Sequence, residues 1–462
     1  MADKPTSLPP AYFLSLSLEN VRSFGKEQTI SFARPDGRPA QWTIILGDNG
    51  VGKTTVLKSL AGTMRNESTD EFGSIHTWRF IDDLWNPLRF SGDKPSEIQA
   101  ENTVNKRLTQ WQSDKKVDRL VFKVYVRPES NSQAPYRTLR NRLFIGSKLS
   151  SSASGLSKAL ICHGYGAGRT TGNSTLSETS EYQNTCASLF DDRADLLNPE
   201  EWFLFADYRM AKDKDPLTTQ NFNLIKAALL KIMEEGEVTD LEVAPVQTNG
   251  GSPRQGVRFK TPYGWVRLRD MSLGYQTLVV WLTDLADKLF VRYPTSKNPL
   301  AEPAIVLIDE IDLHLHPSWQ RKLLKSLSEI FVNTQFIATA HSPLVVQAAG
   351  DVEANVVLLR REGDQTIVVQ DLPDVRRWRV EQILNSELFD DTPPLSPQTE
   401  ADLTRRNELM LKKRLTKAEK AELSQLEQAV AAQPVGTTGP ERQAEDLLAR
   451  LARSLGPEGL LK

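Results

Sequence analysis

The sequence predicts an α/β fold built on a buried, mostly parallel sheet, with a β-rich insertion and a helical C-terminal extension. Three observations predict it. The apolar run "WTIIL" at 42–46 breaks into the glycine turn "GDNGVG" and then into a helical pattern. A second run, "AIVLI" at 304–308, ends on two carboxylates, and a third, "TQFIAT" at 334–339, runs into a histidine. Short apolar runs bounded by turn residues and separated by amphipathic stretches are the pattern of strands covered on both faces.

The bulk properties narrow the class. A chain of 462 residues exceeds the roughly 250–300 at which a single core stops growing, so we expect a main domain over 1–375, interrupted by an insertion at about 76–160. A helical region follows over 376–462, with a linker at 431–440 and a final amphipathic helix. Hydrophobic residues at 39% and charged residues at 25% suit a globular chain rather than a disordered one. The formal charge of -2, from 57 basic and 59 acidic residues, announces neither nucleic acid nor membrane, so such partners must be sought in local patches. Two cysteines make no disulfide framework, and "MADKPTSLPPAYF" lacks the basic start and apolar core of a secretory signal. No apolar run reaches the ~18 residues of a membrane span. The expectation is a cytoplasmic protein without a membrane segment.

In chain order, alternation around Leu14, Leu16 and Leu18 and again near Ile30 and Phe32 predicts an entry hairpin. Residues 66–105 read as irregular, "DRLVFKVYVRPE" and "RTLRNRLFIG" as strands, and the Ser-rich 147–160 as a loop. "ALICHGYGAGRT" is a strand running into a glycine turn. "LLNPEEWFLFADYRM" is a helix capped by Asn198 with Pro199 at its first position, and "NFNLIKAALLKIMEE" is a helix ended by Gly236. Strands follow around Leu241, Val257 and Val266, then the helix "YQTLVVWLTDLADKLF" and the helix "PSWQRKLLKSLSEIF". "ANVVLLRREGDQTIVVQDL" is a hairpin turning at "EGDQ". Beyond Pro393 the chain turns helical and charged, and "LTKAEKAELSQLEQAV" opens on a capping box of Thr416 and Glu419.

The chemistry begins at 47–54, "GDNGVGKT", which fits G-x-x-x-x-G-K-[ST] between a strand and a helix. Glycines let successive backbone N–H groups face one concavity, and the helix N-terminus adds its dipole, so the loop cradles the β- and γ-phosphates. Lys53 supplies a cation and Thr54 a hydroxyl for Mg²⁺. A phosphate site of this kind needs carboxylates on a neighbouring parallel strand: Asp309 suits the Mg²⁺ shell, and Glu310 suits polarisation of the attacking water. The bland reading, two acids that merely end a strand, loses force beside Lys53. "LRDMSLGYQTLVV" sets Ser272, Gly274 and Gln276 at a helix start, which fits a phosphate as well as an ordinary N-cap. His341 ends the following strand in "ATAHSP".

Together these motifs resemble an ABC-type ATPase head: a Walker A loop, an "LSGGQ"-type signature, a Walker B strand with its glutamate, a D-loop at "IDLHLHP" and a switch histidine. Their order and spacing resemble the SMC, RecF and OLD branch, and "IDEIDLHLHPSWQ" with "ATAHSPLVV" is similar to the antiphage ATPases of the Septu (PtuA) group. The resemblance covers 11–75 and 160–370. It implies that two heads sandwich ATP and Mg²⁺, giving a homo-oligomer, dimer or higher. Asn49, Gly50, Gly52, Lys53, Thr54 and Thr55 would bind nucleotide in one protomer, with Ser272, Gly274 and Gln276 contributed by the other. Asp312 and His314 would lie at the seam, His341 would sense the γ-phosphate beside Glu310, and Arg22 in "LENVRSF" matches an arginine found near the nucleotide in this branch.

Two departures qualify the match. Leu273 replaces the small residue of the signature, and no glutamine matches the Q-loop, although "GYGAGR" at 164–169 sits near where one is sought. The histidine pair His314 and His316 reads as structural rather than metal-binding, and Cys162 beside His163 as a buried strand-end cysteine. The stretch 106–148 mixes many lysines and arginines with Trp111, Tyr125, Tyr136 and Phe144, a candidate DNA contact or a solvated β-arm. "RRNELMLKKRLTKAEK" suggests a helical hairpin, and the last helix, with Leu447, Leu448 and Leu451, suits docking to a partner or to its own head. The region after 375 shows no cluster of acids of the kind that OLD nucleases carry, so the resemblance implies a separate nuclease subunit, HNH-type in Septu-like pairs. A transporter subunit would share the five motifs but not the insertion or the C-terminal helices. A scaffold that binds ATP with little turnover fits the same residues.

Overall fold

The computed structural model describes residues 11–62, 162–169, 185–248, 251–375, 377–393, 395–412 and 414–431, together with the backbone of the strands between 66 and 149. The chain divides into two compact units, Met1–Ile383 and Leu384–Lys462.

The first unit opens with β1 (Ala11–Glu19), β2 (Gln28–Ser31), β3 (Trp42–Gly47) and α1 (Lys53–Gly62). The insertion contributes β4 (Asn66–Thr69), β5 (Ile75–Trp78), β6 (Ser96–Val104), β7 (Asp118–Pro128), β8 (Tyr136–Ile145) and β9 (Lys148–Leu149). Then come β10 (Cys162–Tyr165), α2 (Ala187–Phe190), α3 (Pro199–Asp213), α4 (Pro216–Met233), β11 (Asp240–Thr248), β12 (Gly251–Thr261), β13 (Gly264–Arg267) and α5 (Leu273–Arg292). The remaining core elements are β14 (Ala304–Ile308), α6 (Pro317–Gln320), α7 (Leu323–Ile330), β15 (Thr334–Thr339), α8 (Pro343–Asp351), β16 (Asn355–Glu362) and β17 (Gln365–Val369).

The central sheet has the order β10-β14-β15-β3-β16-β17. Every pairing is parallel except the β16–β17 hairpin. Strands β14 and β15 are buried at every position, and β3 at every position but its last glycine. That burial explains their unbroken apolar runs: a strand covered on both faces has no polar side to alternate with. Trp42 and Phe336 stack across β3 and β15 at 4.2 Å between centroids, and the Trp42 indole N–H finds Ser328 Oγ at 2.7 Å. An aromatic with a polar edge is thereby buried without leaving a donor unpaired.

A second, antiparallel sheet has the order β2-β1-β6-β7-β8-β9. The buried side chain of Gln335 ties it to the central one, accepting from Phe13 N at 2.8 Å and donating to Phe13 O at 2.9 Å. Here a glutamine side chain completes backbone hydrogen bonding as a neighbouring strand would. The hairpin of β16 and β17 closes against the N-terminal segment: Asn355 Nδ2 and Gln370 Nε2 both donate to Ser31 O. Thr366 N donates to Ser23 O at 2.9 Å, and Thr366 Oγ1 to the carbonyl of Val51 in the glycine loop at 2.8 Å.

Several sequence expectations need correction. Residues 66–105 are not wholly irregular, since β4, β5 and β6 run through them. The helix predicted from Pro317 is broken into α6 and α7, because Lys322 opens to φ −112° and its N–H bonds three residues back, to Trp319 O. Helix α4 starts at Pro216 rather than at Asn221, on an unforeseen cap: Asp215 accepts from Leu217 N. α3 begins as expected, with Asn198 Oδ1 accepting from Glu200 N at 3.0 Å ahead of Pro199.

A short helix, α9 (Val380–Leu384), follows the core. In the second unit α10 (Pro397–Leu411) and α11 (Lys417–Ala431) pack as the helical hairpin expected from the sequence, with Arg405 reaching Glu422 through Nε and Nη2 at 2.8 and 3.3 Å. The capping box is present: Thr416 N donates to Glu419 Oε2 at 2.8 Å and Glu419 N to Thr416 Oγ1 at 3.2 Å. The basic stretch 106–148 proposed for DNA lies outside the described residues or, within its strands, outside their described side chains. The final helix with Leu447, Leu448 and Leu451 likewise lies outside them.

Candidate functional site

The phosphate loop follows β3 as a left-handed turn. Gly47 has φ +138°, and a Cβ there would lie 2.3 Å from Leu359 O on β16, so only glycine fits between the loop and the neighbouring strand. Asn49 and Gly50 stand exposed at the rim, and Gly52 also has positive φ. Lys53 opens α1 and is 7% exposed, with Nζ donating to Gly47 O at 2.7 Å and Asp48 O at 2.8 Å. Burial lowers the Lys53 ammonium below its ordinary range, against the pull of Asp309, Glu310, Asp48 and Asp312. Thr55, next along α1, is half-buried.

The carboxylates stand at the end of the neighbouring β14. Asp309 is 6% exposed, and both of its oxygens are engaged: Thr54 Oγ1 donates to Oδ2 at 2.6 Å and Thr339 Oγ1 donates to Oδ1 at 2.6 Å. Thr339 also accepts from Glu310 N at 2.7 Å, so one hydroxyl on β15 ties the Asp309 carboxylate to the Glu310 backbone. Glu310 is half-buried and sits at φ +49°, a conformation that non-glycine residues seldom adopt. The loop after β10 supplies a cation from the far side: Arg169, 4% exposed, donates through Nη2 to the carbonyls of Asp309 and Glu310, the latter at 2.5 Å, and through Nε to Gly166 O at 2.9 Å. Burial lowers its guanidinium to about 10, partly offset by Asp309, Asp312 and Glu310.

His341 is exposed just past β15, and its backbone N–H donates to Asp312 Oδ2 at 3.0 Å. Gln320 holds this loop through Asp312 O, Leu315 O and Ser342 Oγ. His314 is exposed at φ +63°, and a Cβ on Gly274 would lie 2.4 Å from its carbonyl, so the start of α5 and the loop after β14 touch backbone to backbone. His316 caps α6, accepting from Ser318 N, a structural part of the kind expected for it. Among the described residues no group of three or more potential metal-ligating side chains occurs, and no helix there is long and apolar enough to cross a membrane.

The other sequence-predicted residues are not gathered at the loop in the same way. Ser272 and Leu273 are exposed at the start of α5, and the Ser272 hydroxyl makes no cap bond. Gln276 turns inward, its amide donating to Met271 O at 2.7 Å. Helix α5 packs on α3 and α4, whereas α1 packs on β3, β10, β15 and α2. Arg22 has φ +51°, and burial, with a smaller push from the Arg22 charge, lowers the ammonium of Lys58 on α1. Two functional candidates went unassigned in the sequence, Thr339 and Arg169. Their signals were present, a threonine two residues before the histidine and an arginine closing a glycine turn, but neither type announces a role without the fold.

The donor set fits a nucleotide with a divalent cation: a glycine cradle that a Cβ would fill, a buried ammonium, and a threonine hydroxyl already on a buried carboxylate. Comparisons with known proteins agree. Over 385 residues, 82% of this chain and 45% of the relative, the chain is 26% identical to the Septu protein PtuA of Bacillus mycoides (strain KBAB4). It is 51% identical over 75 residues to the Retron Ec83 probable ATPase of Escherichia coli, 16% of this chain and 14% of that one. The chain thus spans less than half the length of these relatives. Among solved structures, an SMC head bound to the C-winged helix domain of ScpA aligns over 78% of this chain and 97% of its own, at 18% identity and a TM-score of 0.41. The family model AAA_21, described as "AAA domain, putative AbiEii toxin, Type IV TA system", matches residues 43–347, from the strand before the phosphate loop to the helix after the histidine. A match over well over half its length makes this chain a member of the AAA_21 family.

Proposed function

We propose that the chain hydrolyses Mg-ATP as the ATPase subunit of a bacterial antiphage-defence or DNA-processing complex in the cytoplasm, and that it controls a separate nuclease. The observation that carries the hydrolytic part is the linked set Thr54–Asp309–Thr339–Glu310 beside Lys53. In this reading Thr54 and Asp309 would hold Mg²⁺, which would supply positive charge against the phosphates. Lys53 leaves its loop carbonyls to meet the phosphates. Glu310 accepts a proton from the attacking water, and His341, exposed past the end of the neighbouring β15, orients toward the same phosphate. Asn49, Gly50, Gly52, Thr55 and Arg22 complete the cis half of the site.

The trans half is a second copy. Ser272 with its uncommitted hydroxyl, exposed Leu273 and the α5 N-terminus belong to a helix that packs away from α1, which supports a homodimer closed over ATP. Similarity to Septu PtuA and to retron ATPases supports the defence setting, and the separate nuclease, HNH-type in Septu-like pairs, rests on the motif resemblance alone. DNA contact through 106–148 stays part of the proposal, as does the division into a head at 1–375 and a helical region at 376–462.

Single-turnover hydrolysis with Mg-ATP tests the reading. Glu310→Gln is expected to cut the rate about 100-fold or more while ATP binding persists. Equal rates for the two proteins would instead make the chain an ATP-binding scaffold.

A further inference from the structure

Resting on the ATPase reading, we propose that Arg169 is a positioning residue: its guanidinium clamps the backbone at Asp309 and Glu310 and so sets the direction in which the Glu310 carboxylate points. The side chain comes from the loop after β10, the strand that pairs with β14 and whose Tyr165 carbonyl accepts from Asp309 N at 2.8 Å. No glutamine occupies the turn at 164–169. Its arginine turns inward instead, is all but removed from solvent, and spends its donors on three carbonyls, those of Gly166, Asp309 and Glu310.

A buried cation is costly unless charge and hydrogen bonds surround it. Here Asp309, Asp312 and Glu310 supply the charge. The geometry then explains the backbone of Glu310. At φ +49° an L-residue stays only where its surroundings over-determine it. Glu310 is held at both ends, its N–H by Thr339 Oγ1 at 2.7 Å and its carbonyl by Arg169 Nη2 at 2.5 Å. With both ends fixed, the Cα–Cβ direction is fixed too, and the carboxylate keeps only its side-chain torsions about a fixed origin. One nitrogen of a planar guanidinium serves two adjacent carbonyls while Nε holds a third, a fork that an ammonium cannot reproduce. Arg169 itself touches no phosphate in this role, so it differs from a finger residue.

The test uses the full chain with Arg169→Lys, Arg169→Gln and, as a control, Glu310→Gln. Three quantities are read: the melting temperature without nucleotide, the Kd for ATP, and the single-turnover rate. A crystal structure of Arg169→Lys reports the φ of Glu310. The expected result for Arg169→Lys is an unchanged Kd, a rate lowered about 100-fold through misdirection of the base, and Glu310 released from positive φ. Arg169→Lys hydrolysing at the wild-type rate overturns the proposal. So does a rate that falls only in step with ATP affinity, or failure of Arg169→Lys to fold, since either assigns Arg169 to structure alone. A wild-type chain without hydrolysis, or an active Glu310→Gln, instead removes the underlying ATPase reading.

Discussion

His163 lies beside Tyr165 on β10, 2% exposed, and both of its ring nitrogens lack a hydrogen-bond partner among the described residues. Burial, aided by the charge of Lys288, lowers its pKa to about 3. The folded state therefore keeps it neutral, while the unfolded chain takes up a proton near the ordinary value of about 6.5. Its contribution to stability is fully present above that value and is lost as pH falls from about 6.5 toward about 3, at a slope approaching about 1.4 kcal/mol per pH unit. His163→Phe is expected to flatten the fall in melting temperature between about pH 7 and 5; parallel curves for the two proteins would refute this. Gly274 makes a steric counterpart. A methyl there meets His314 O at 2.4 Å, so Gly274→Ala should cost about 1–3 kcal/mol by overpacking, measured in urea unfolding. At this scale Lys53, Thr54 and Asp309 stood out in the sequence because a motif of fixed spacing holds them. Thr339 and Arg169 did not, because no motif marks them and only the meeting of β10, β14 and β15 brings them to Asp309 and Glu310.

Among the elements, two helices announced their starts. Asn198 and the Thr416–Glu419 box are local devices, set by residues two or three apart, and both cap their helices as read. Thr416→Ala should destabilise α11 by about 1 kcal/mol, visible as lost far-ultraviolet helical signal at intermediate denaturant. Strands were harder. β3, β14 and β15 are apolar throughout because both faces are covered, whereas β6, "SEIQAENTV", is built largely of residues with little strand preference and pairs on one side with β1, distant in sequence, and on the other with the next strand, β7. The break between α6 and α7 escaped the sequence for a different reason: "PSWQRKLLKSLSEIF" keeps helical spacing across Arg321 and Lys322, and no glycine or proline marks the turn.

For the whole molecule, the order of motifs along the chain foretold a parallel sheet but not its strand order, in which β3 lies between β15 and β16. If two copies close over nucleotide, Glu310→Gln with ATP should sediment as a dimer, and adding Ser272→Arg should return it to monomer without altering the apo melting temperature. Persistence of the dimer would move the seam elsewhere. Three lysines or arginines of 106–148 replaced by glutamine should lower the salt slope of DNA binding by about 2–3; an unchanged slope would exclude that stretch.

The tie between Thr366 and Val51 crosses 315 residues. During synthesis the glycine loop therefore waits for the far end of the head to emerge. At roughly 5–20 residues per second the delay is roughly 15–60 s. For most of that interval β3 lacks both flanking strands, β15 and β16, and the nascent chain holds an open apolar edge. A ribosome-bound chain stopped before residue 366 should thus have a protease-sensitive glycine loop, which becomes ordered only once β17 has emerged.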